Sequence, residues 1–246
     1  MQPVFETIAW VSIGVAFACA LWIAFDEIRH PQSMGVMNVV WPVTALYFSV
    51  FALWAYYRLG RQKAGMQIGM EKETAAHVHG ENAHQLKPNA HQPDQSTPTA
   101  AQVAVGTSHC GAGCMLADVV CEFTIAAFGI TVLGSMLLAE YSIDLAAAWL
   151  LGIVFQYFAI RPMQQGTATQ ALVAAIKADT LSILAFQVGM YAWMAIVSFL
   201  LFPRPHLNPF EARYWLMMQI AMICGYATSY PMNWWLIRKG IKEPMD

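Results

Sequence analysis

Six stretches of this chain are apolar for the length of a membrane crossing, and nothing else in the sequence constrains its fold so strongly. They cover residues 4–25, 36–57, 115–138, 142–160, 180–202 and 214–237. Each is close to the roughly 20 residues that a helix needs to cross hydrocarbon. Inside lipid an unpaired backbone N–H or C=O has no water to turn to, so such segments are helical. The expected fold class is therefore all-α, a polytopic inner-membrane helical bundle with about six transmembrane helices. Only 11% of the residues are charged, against about 25% in soluble domains. Pro42 and Pro231 fall inside the second and sixth stretches, where a missing N–H kinks or locally opens a helix.

Residues 59–106 are of a different composition. They hold His77, His79, His84 and His91 among Gln, Asn, Pro and charged residues, with little to bury. A segment like this cannot offset its ordering entropy and reads as a flexible His-rich linker. It divides the chain into a two-helix membrane unit (1–58), the linker (59–106) and a four-helix membrane core (107–246). The third and fourth helices are joined at Ala139-Glu140-Tyr141 and form an antiparallel hairpin.

Orientation is read from Lys and Arg. With six crossings, Arg58, Arg61, Lys63, Lys72, Lys87, Arg161, Lys177, Arg238, Lys239 and Lys242 share one side, against Arg29, Arg204 and Arg213 on the other. The positive-inside rule then puts both termini and the linker in the cytoplasm of a bacterial inner membrane. Arg29 speaks against this locally, since it follows the first helix and nothing basic precedes it. The first segment lacks a basic start and a small-residue cleavage site, so we read it as an anchor and not a signal peptide.

Chemistry concentrates at Ser108-His109-Cys110-Gly111-Ala112-Gly113-Cys114, which runs into the third apolar stretch. A cytoplasmic pair of cysteines is a poor candidate for a lasting disulfide. Thiolate and imidazole together suit soft transition metals, Cu(I) and Zn among them. His109, Cys110 and Cys114 thus become candidate metal ligands at a mouth. If the helix starts near Cys114, then Cys114, Asp118 and Glu122 line one face of it, one turn apart. Ionisable groups at membrane depth face a cavity or a pathway, which makes Asp118 and Glu122 candidates for deeper ligands or proton-coupling groups. Simpler explanations stand beside these: the glycines as a turn, and Asp118 as a partner of the helix dipole.

Met190 and Met194, and Met218 and Met222, are paired four apart on helices. Stacked thioethers suit Cu(I), although Met is also a common filler of helix packing. Asp144 and Asp179 are expected to open the fourth and fifth helices as caps. Gln156, Gln187, Gln219 and Asn233 are expected to hydrogen-bond between helices.

Five blocks together resemble a bacterial membrane-protein family: MNVVWPVTALYF (37–48), HCGAGC (109–114), LLGIVFQYFAIRPM (150–163), IKADTLSILAFQVGM (176–190) and SYPMNWWLIRKGIKE (229–243). That family is an uncharacterised domain of unknown function. The resemblance implies a compact helical membrane domain with a His-Cys element before its first core helix, and it supplies no activity.

The expectation for function is binding and transport or delivery of a soft transition-metal ion, Cu(I) before Zn. Its partners would be the lipid bilayer, the ion, and a metallochaperone or a second copy of the chain, with no nucleic acid. Two alternatives stay open, a membrane thiol oxidoreductase using Cys110 and Cys114, and a membrane scaffold or assembly factor. Hydrolytic and nucleotide-dependent chemistry lacks its motifs, since no phosphate-binding glycine loop, HExxH or nucleophile elbow occurs.

Overall fold

The computed structural model describes residues 2–32, 34–61, 98–160, 168–203 and 206–244. The four linker histidines lie outside the described residues. Those residues form helices and no strand, as the apolar runs require. The helices are α1 (Gln2–Arg29), α2 (Met37–Phe48), α3 (Val50–Ala55), α4 (Ala100–Phe128), α5 (Met136–Ile160), α6 (Ala168–Ile196) and α7 (Ala212–Arg238). Short π-helical turns, Tyr56–Gly60 and Val197–Leu201, prolong α3 and α6. Four helices are long and apolar enough to cross a membrane: Pro3–Arg29, Ala100–Phe128, Met136–Phe158 and Leu172–Leu201. The α7 helix is as long but more polar, with Gln219, Ser229 and Asn233 buried along it.

The second apolar stretch departs from expectation. Instead of one span it forms a hairpin of two short helices that breaks at Ser49, where φ is +49°. The return leg lies against the outgoing one: Trp41 and Tyr56 rings are 5.8 Å apart, and Gly60 sits directly on the Trp41 indole. The hairpin closes at the end of α1, where Tyr56 donates to Asp26 at 2.8 Å and Arg61 pairs with the same carboxylate at 3.2 Å. Its legs are 12 and 11 residues long, about 18 and 16 Å, roughly half the thickness of a bilayer core. The tip packs against α7 on one side only. Gln219 on α7 donates to the Leu46 carbonyl at 2.8 Å, and Phe48 meets Tyr226 edge-on at 5.0 Å.

The hairpin changes which ends of the helices lie together. Phe5, at the start of α1, stacks on Phe202 after α6, while Asp26 at the other end of α1 holds Arg61. Phe123, near the end of α4, packs on Trp215 at the start of α7, and Ala104 accepts from Tyr226 further along it. The start of α1 therefore shares a bundle end with the α4–α5 and α6–α7 loops. Residues 30–32 and 34–36, Arg61, the start of α4 and the end of α7 gather at the opposite end.

The third helix also begins much earlier than residue 115. Thr99 accepts from the Gln102 N–H at 3.3 Å and Gln102 accepts from the Thr99 N–H at 3.0 Å, a reciprocal capping box that starts α4 at Ala100. Residues 100–106 thus belong to the core and not to the linker. The helix stops at Gly129 (φ +61°), and the connection to α5 occupies 129–135 instead of 139–141. Asp144 and Asp179 accordingly do not open helices; each lies inside one. Residues from Ala168 onward extend the fifth expected helix at its start.

Close helix approach explains the glycines of the core. A Cβ on Gly113 would stand 3.6 Å from the Gly152 Cα, and one on Gly225 would stand 2.6 Å from the Phe186 ring. Small residues at such contacts let backbones approach, which is how helices associate where lipid removes the hydrophobic drive. Large apolar side chains such as Trp10, Leu21, Phe51, Val120, Phe158 and Val188 point outward and are exposed.

Candidate functional site

The face of α4 that turns to the bundle interior carries Cys110, Cys114, Asp118 and Glu122, one helical turn apart and all buried. The ladder covers about 18 Å at 1.5 Å per residue. It joins two polar clusters of different character.

At one end, Cys110 meets α6 and the segment that follows α7. Its thiol is 3.3 Å from Asp179 Oδ1 and 3.1 Å from Ser182 Oγ. Lys242 reaches in from beyond α7, donating to Asp179 Oδ1 at 3.0 Å and to Cys110 Sγ at 3.2 Å. Both members of this ion pair are fully buried. Burial works against the ammonium, but the Asp179 carboxylate and then Cys110 outweigh it and hold the Lys242 pKa above its ordinary value. The local cause of the inward turn is the end of α7. Gly240 adopts φ +66°, its N–H bonds to Ile237 O at 2.9 Å, and the Ile241 N–H bonds to Leu236 O at 3.0 Å. This is a Schellman turn, which reverses the chain and sends Lys242 back over the helices. Ser229 and Asn233 extend the network along α7: Ser229 donates to Ser182 O at 3.0 Å, and Asn233 donates to Ser229 Oγ at 3.0 Å.

At the other end, Asp118 has both carboxyl oxygens without a hydrogen-bond partner. Glu122 lies against Asp144 of α5 and Tyr214 of α7, and Cys121 lies against Asp144. No Lys or Arg pairs with Asp118, Glu122 or Asp144 among the described residues. His109, next to Cys110 on α4, is edge-on to Phe155 at 5.8 Å, with neither ring nitrogen bonded.

This geometry corrects the expected mouth. His109, Cys110 and Cys114 lie a third to half of the way along α4, and none is exposed. Being adjacent, His109 and Cys110 also point to different neighbours, Phe155 on α5 and Asp179 on α6. Among the described residues no group of three or more His, Cys, Asp and Glu side chains converges to hold an ion. Met190, Met194, Met218 and Met222 are all buried in the main apolar core. Of the four amides, Gln219 bridges helices through Ser12 and Leu46, whereas Asn233 bonds within its own helix and neither Gln187 amide atom has a partner.

Sequence reasoning missed Lys242 and placed Asp179 at a helix start. A signal for the first was present: Gly240 directly after Arg238-Lys239 marks a helix C-terminus and a chain reversal. Tyr214 carried no such signal.

The fold and its interior define an all-α membrane bundle with a buried polar ladder between two acidic clusters, only one of which has a counter-cation among the described residues. Over residues 99–242, from the residue that caps α4 to the lysine that closes the bundle, the chain belongs to the family described as a domain of unknown function (DUF4396). No curated protein and no solved structure matches it.

Proposed function

We propose that the protein binds a cation inside the bundle and moves or delivers it, with a soft transition-metal ion, Cu(I) before Zn, as cargo. The ladder of Cys110, Cys114, Asp118 and Glu122 on one buried face of α4 carries this reading. Soft donors stand at one depth and carboxylates at the next, and the free oxygens of Asp118 face no basic partner. A carboxylate inside a membrane protein is costly unless a proton or a cation neutralises it, and such groups mark ion and proton pathways. Buried thioethers at Met190, Met194, Met218 and Met222 offer further soft donors. The reading calls for an ion donor or acceptor such as a metallochaperone. Thiol exchange finds less support, because neither Cys110 nor Cys114 is open to an attacking thiol.

The orientation we propose differs from the one the sequence suggested. With the 37–60 hairpin re-entrant, five helices cross the bilayer. Arg29, Arg58, Arg61, Lys177, Arg238, Lys239 and Lys242 then share one side, against Arg213 alone among the described residues. That side is the cytoplasmic one by the positive-inside rule, and the start of α1 lies outside. The anomaly at Arg29 disappears.

The test is uptake of Cu(I), and separately Zn, into vesicles holding the purified protein, compared with Asp118→Asn/Glu122→Gln and with Cys110→Ser/Cys114→Ser. Uptake above that of empty vesicles and lost in both variants is expected. Equal uptake in all samples, or no bound metal on elemental analysis of the wild type, would end the reading.

A further inference from the structure

Lys242 is the one described ammonium group that the bundle buries completely, and its surroundings are those of an ion site. Asp179 Oδ1 lies 3.0 Å and Cys110 Sγ 3.2 Å from Nζ, and Ser182 Oγ lies 3.1 Å from the same sulfur. All four side chains are fully buried. Two further observations point to a ligand beyond the lysine. Asp179 Oδ2, on a fully buried side chain, has no hydrogen-bond partner. Opposite that free oxygen the chain has Gly152, where a Cβ would stand 3.1 Å from Oδ2. The segment that delivers Lys242 is short and is turned by Gly240 alone. An open groove of about 540 Å³ runs beside it, between Thr169, Val173 and Lys177 of α6 and Gly240–Ile241.

We propose that Asp179, Cys110 and Ser182 form a cation site which, in this state, the chain fills with its own Lys242, and that a soft monovalent ion exchanges with that ammonium. The exchange replaces one positive charge by another beside the same carboxylate. The net buried charge does not change, so the large cost of placing an unpaired ion in this interior does not arise. When the ion takes the sulfur as thiolate, one bond forms and one breaks: Cys–SH and M⁺ give Cys–S–M and a proton, which passes to the Asp179 carboxylate that the ammonium has left, with no change of oxidation state or of net buried charge. Lys242 then leaves with its segment towards the basic end of the bundle. The ion and the closed tail are mutually exclusive. This deepens the cation reading above and rests on it.

The experiment uses the full chain in lipid nanodiscs, with Ag(I) as a redox-inert soft probe. Lys242 and the exposed Lys239 are acetylated by a brief pulse of acetic anhydride, and both are read by peptide mass spectrometry. Without ion, Lys242 is expected to react at least about tenfold more slowly than Lys239, since a buried group reacts only through local opening. With Ag(I) the two rates should converge. Cys110→Ser leaves the lysine pair in place, so its Lys242 should stay shielded at every Ag(I) concentration. Asp179→Asn should expose Lys242 with no ion present. Ag(I) bound by the wild type while Lys242 stays shielded, or release that persists in Cys110→Ser, would overturn the exchange while sparing the cation reading. No binding of Ag(I) or Cu(I) anywhere in the chain would overturn both.

Discussion

One buried face of α4 meets acidic groups near both of its ends, and the two encounters are built differently. Around Cys110 the carboxylate of Asp179 is matched by Lys242, and hydroxyls of Ser182 and Ser229 complete a network. Around Asp118 and Glu122 there is a third carboxylate, Asp144, and a tyrosine, but no basic residue among those described. The first cluster is charge-balanced within the chain and should lose stability when one partner is removed. The second is held in place by the helices around it, at a cost to the fold, with no counter-charge among the described residues. The stability contributed by buried charges should therefore differ between the two ends of a single helix.

The largest effect expected is at the paired end. Lys242→Met leaves Asp179 buried and uncompensated, which should cost about 3–5 kcal/mol, whereas Lys242→Met/Asp179→Asn should recover most of the loss. Thermal melts of the three proteins in one detergent decide this, and a double variant as unstable as the single one would break the comparison. The pH dependence has a definite sign. Because pairing raises the Lys242 pKa, its contribution is complete below the ordinary lysine value of about 10.4 and fades only as pH climbs above it. The gap between wild type and Lys242→Met should thus stay open through neutral and mildly alkaline solution and close only as pH climbs beyond that value.

Of intermediate size is the effect at Gly111, where a Cβ would stand 2.6 Å from the Tyr47 hydroxyl and 3.0 Å from the Phe186 ring. Gly111→Ala should destabilise by about 1–3 kcal/mol through overpacking. Removing the hydroxyl with Tyr47→Phe should relieve part of that penalty, which a double-mutant cycle would read directly. Gly240→Ala should cost about 1 kcal/mol, from the positive φ its position requires.

The smallest stability effect belongs to the unpaired end. Asp118→Asn keeps the shape and removes a group that no basic residue compensates, so the melting temperature should hold or rise slightly while ion uptake is lost. A drop as large as that of Lys242→Met would show that Asp118 has a hidden counter-ion, and the contrast between the clusters would collapse.

Much of this architecture was legible in the residues. The apolar runs announced helices and a membrane, and the four-residue spacing of Cys110, Cys114, Asp118 and Glu122 announced their common face. The start of α4 was also written plainly, in Thr99 and Gln102. It was passed over because the polar composition around it reads as linker, and the glycines at 111 and 113 read as a turn. In a packed membrane bundle glycine serves close approach instead, and hydropathy has no term for that. The hairpin at Ser49 was not legible at all. Twenty-two apolar residues satisfy a spanning helix, and neither Ser49 nor its neighbours carry a turn signature. What folds the segment back is tertiary: Asp26 anchoring Tyr56 and Arg61, and Trp41 lying against Gly60. Lys242 escaped notice for a related reason, since a charge past the last helix is ordinarily solvated.

The position of Lys242 also has a consequence for biosynthesis. Asp179 is synthesised, and its helix offered to the membrane, before the lysine that neutralises it has left the ribosome. Until then α6 carries an acid without its partner. Closure of the bundle is therefore a late step, timed by the arrival of one side chain. A released chain cut after residue 239 carries α1 to α7 without Lys242, and its interior should stay open.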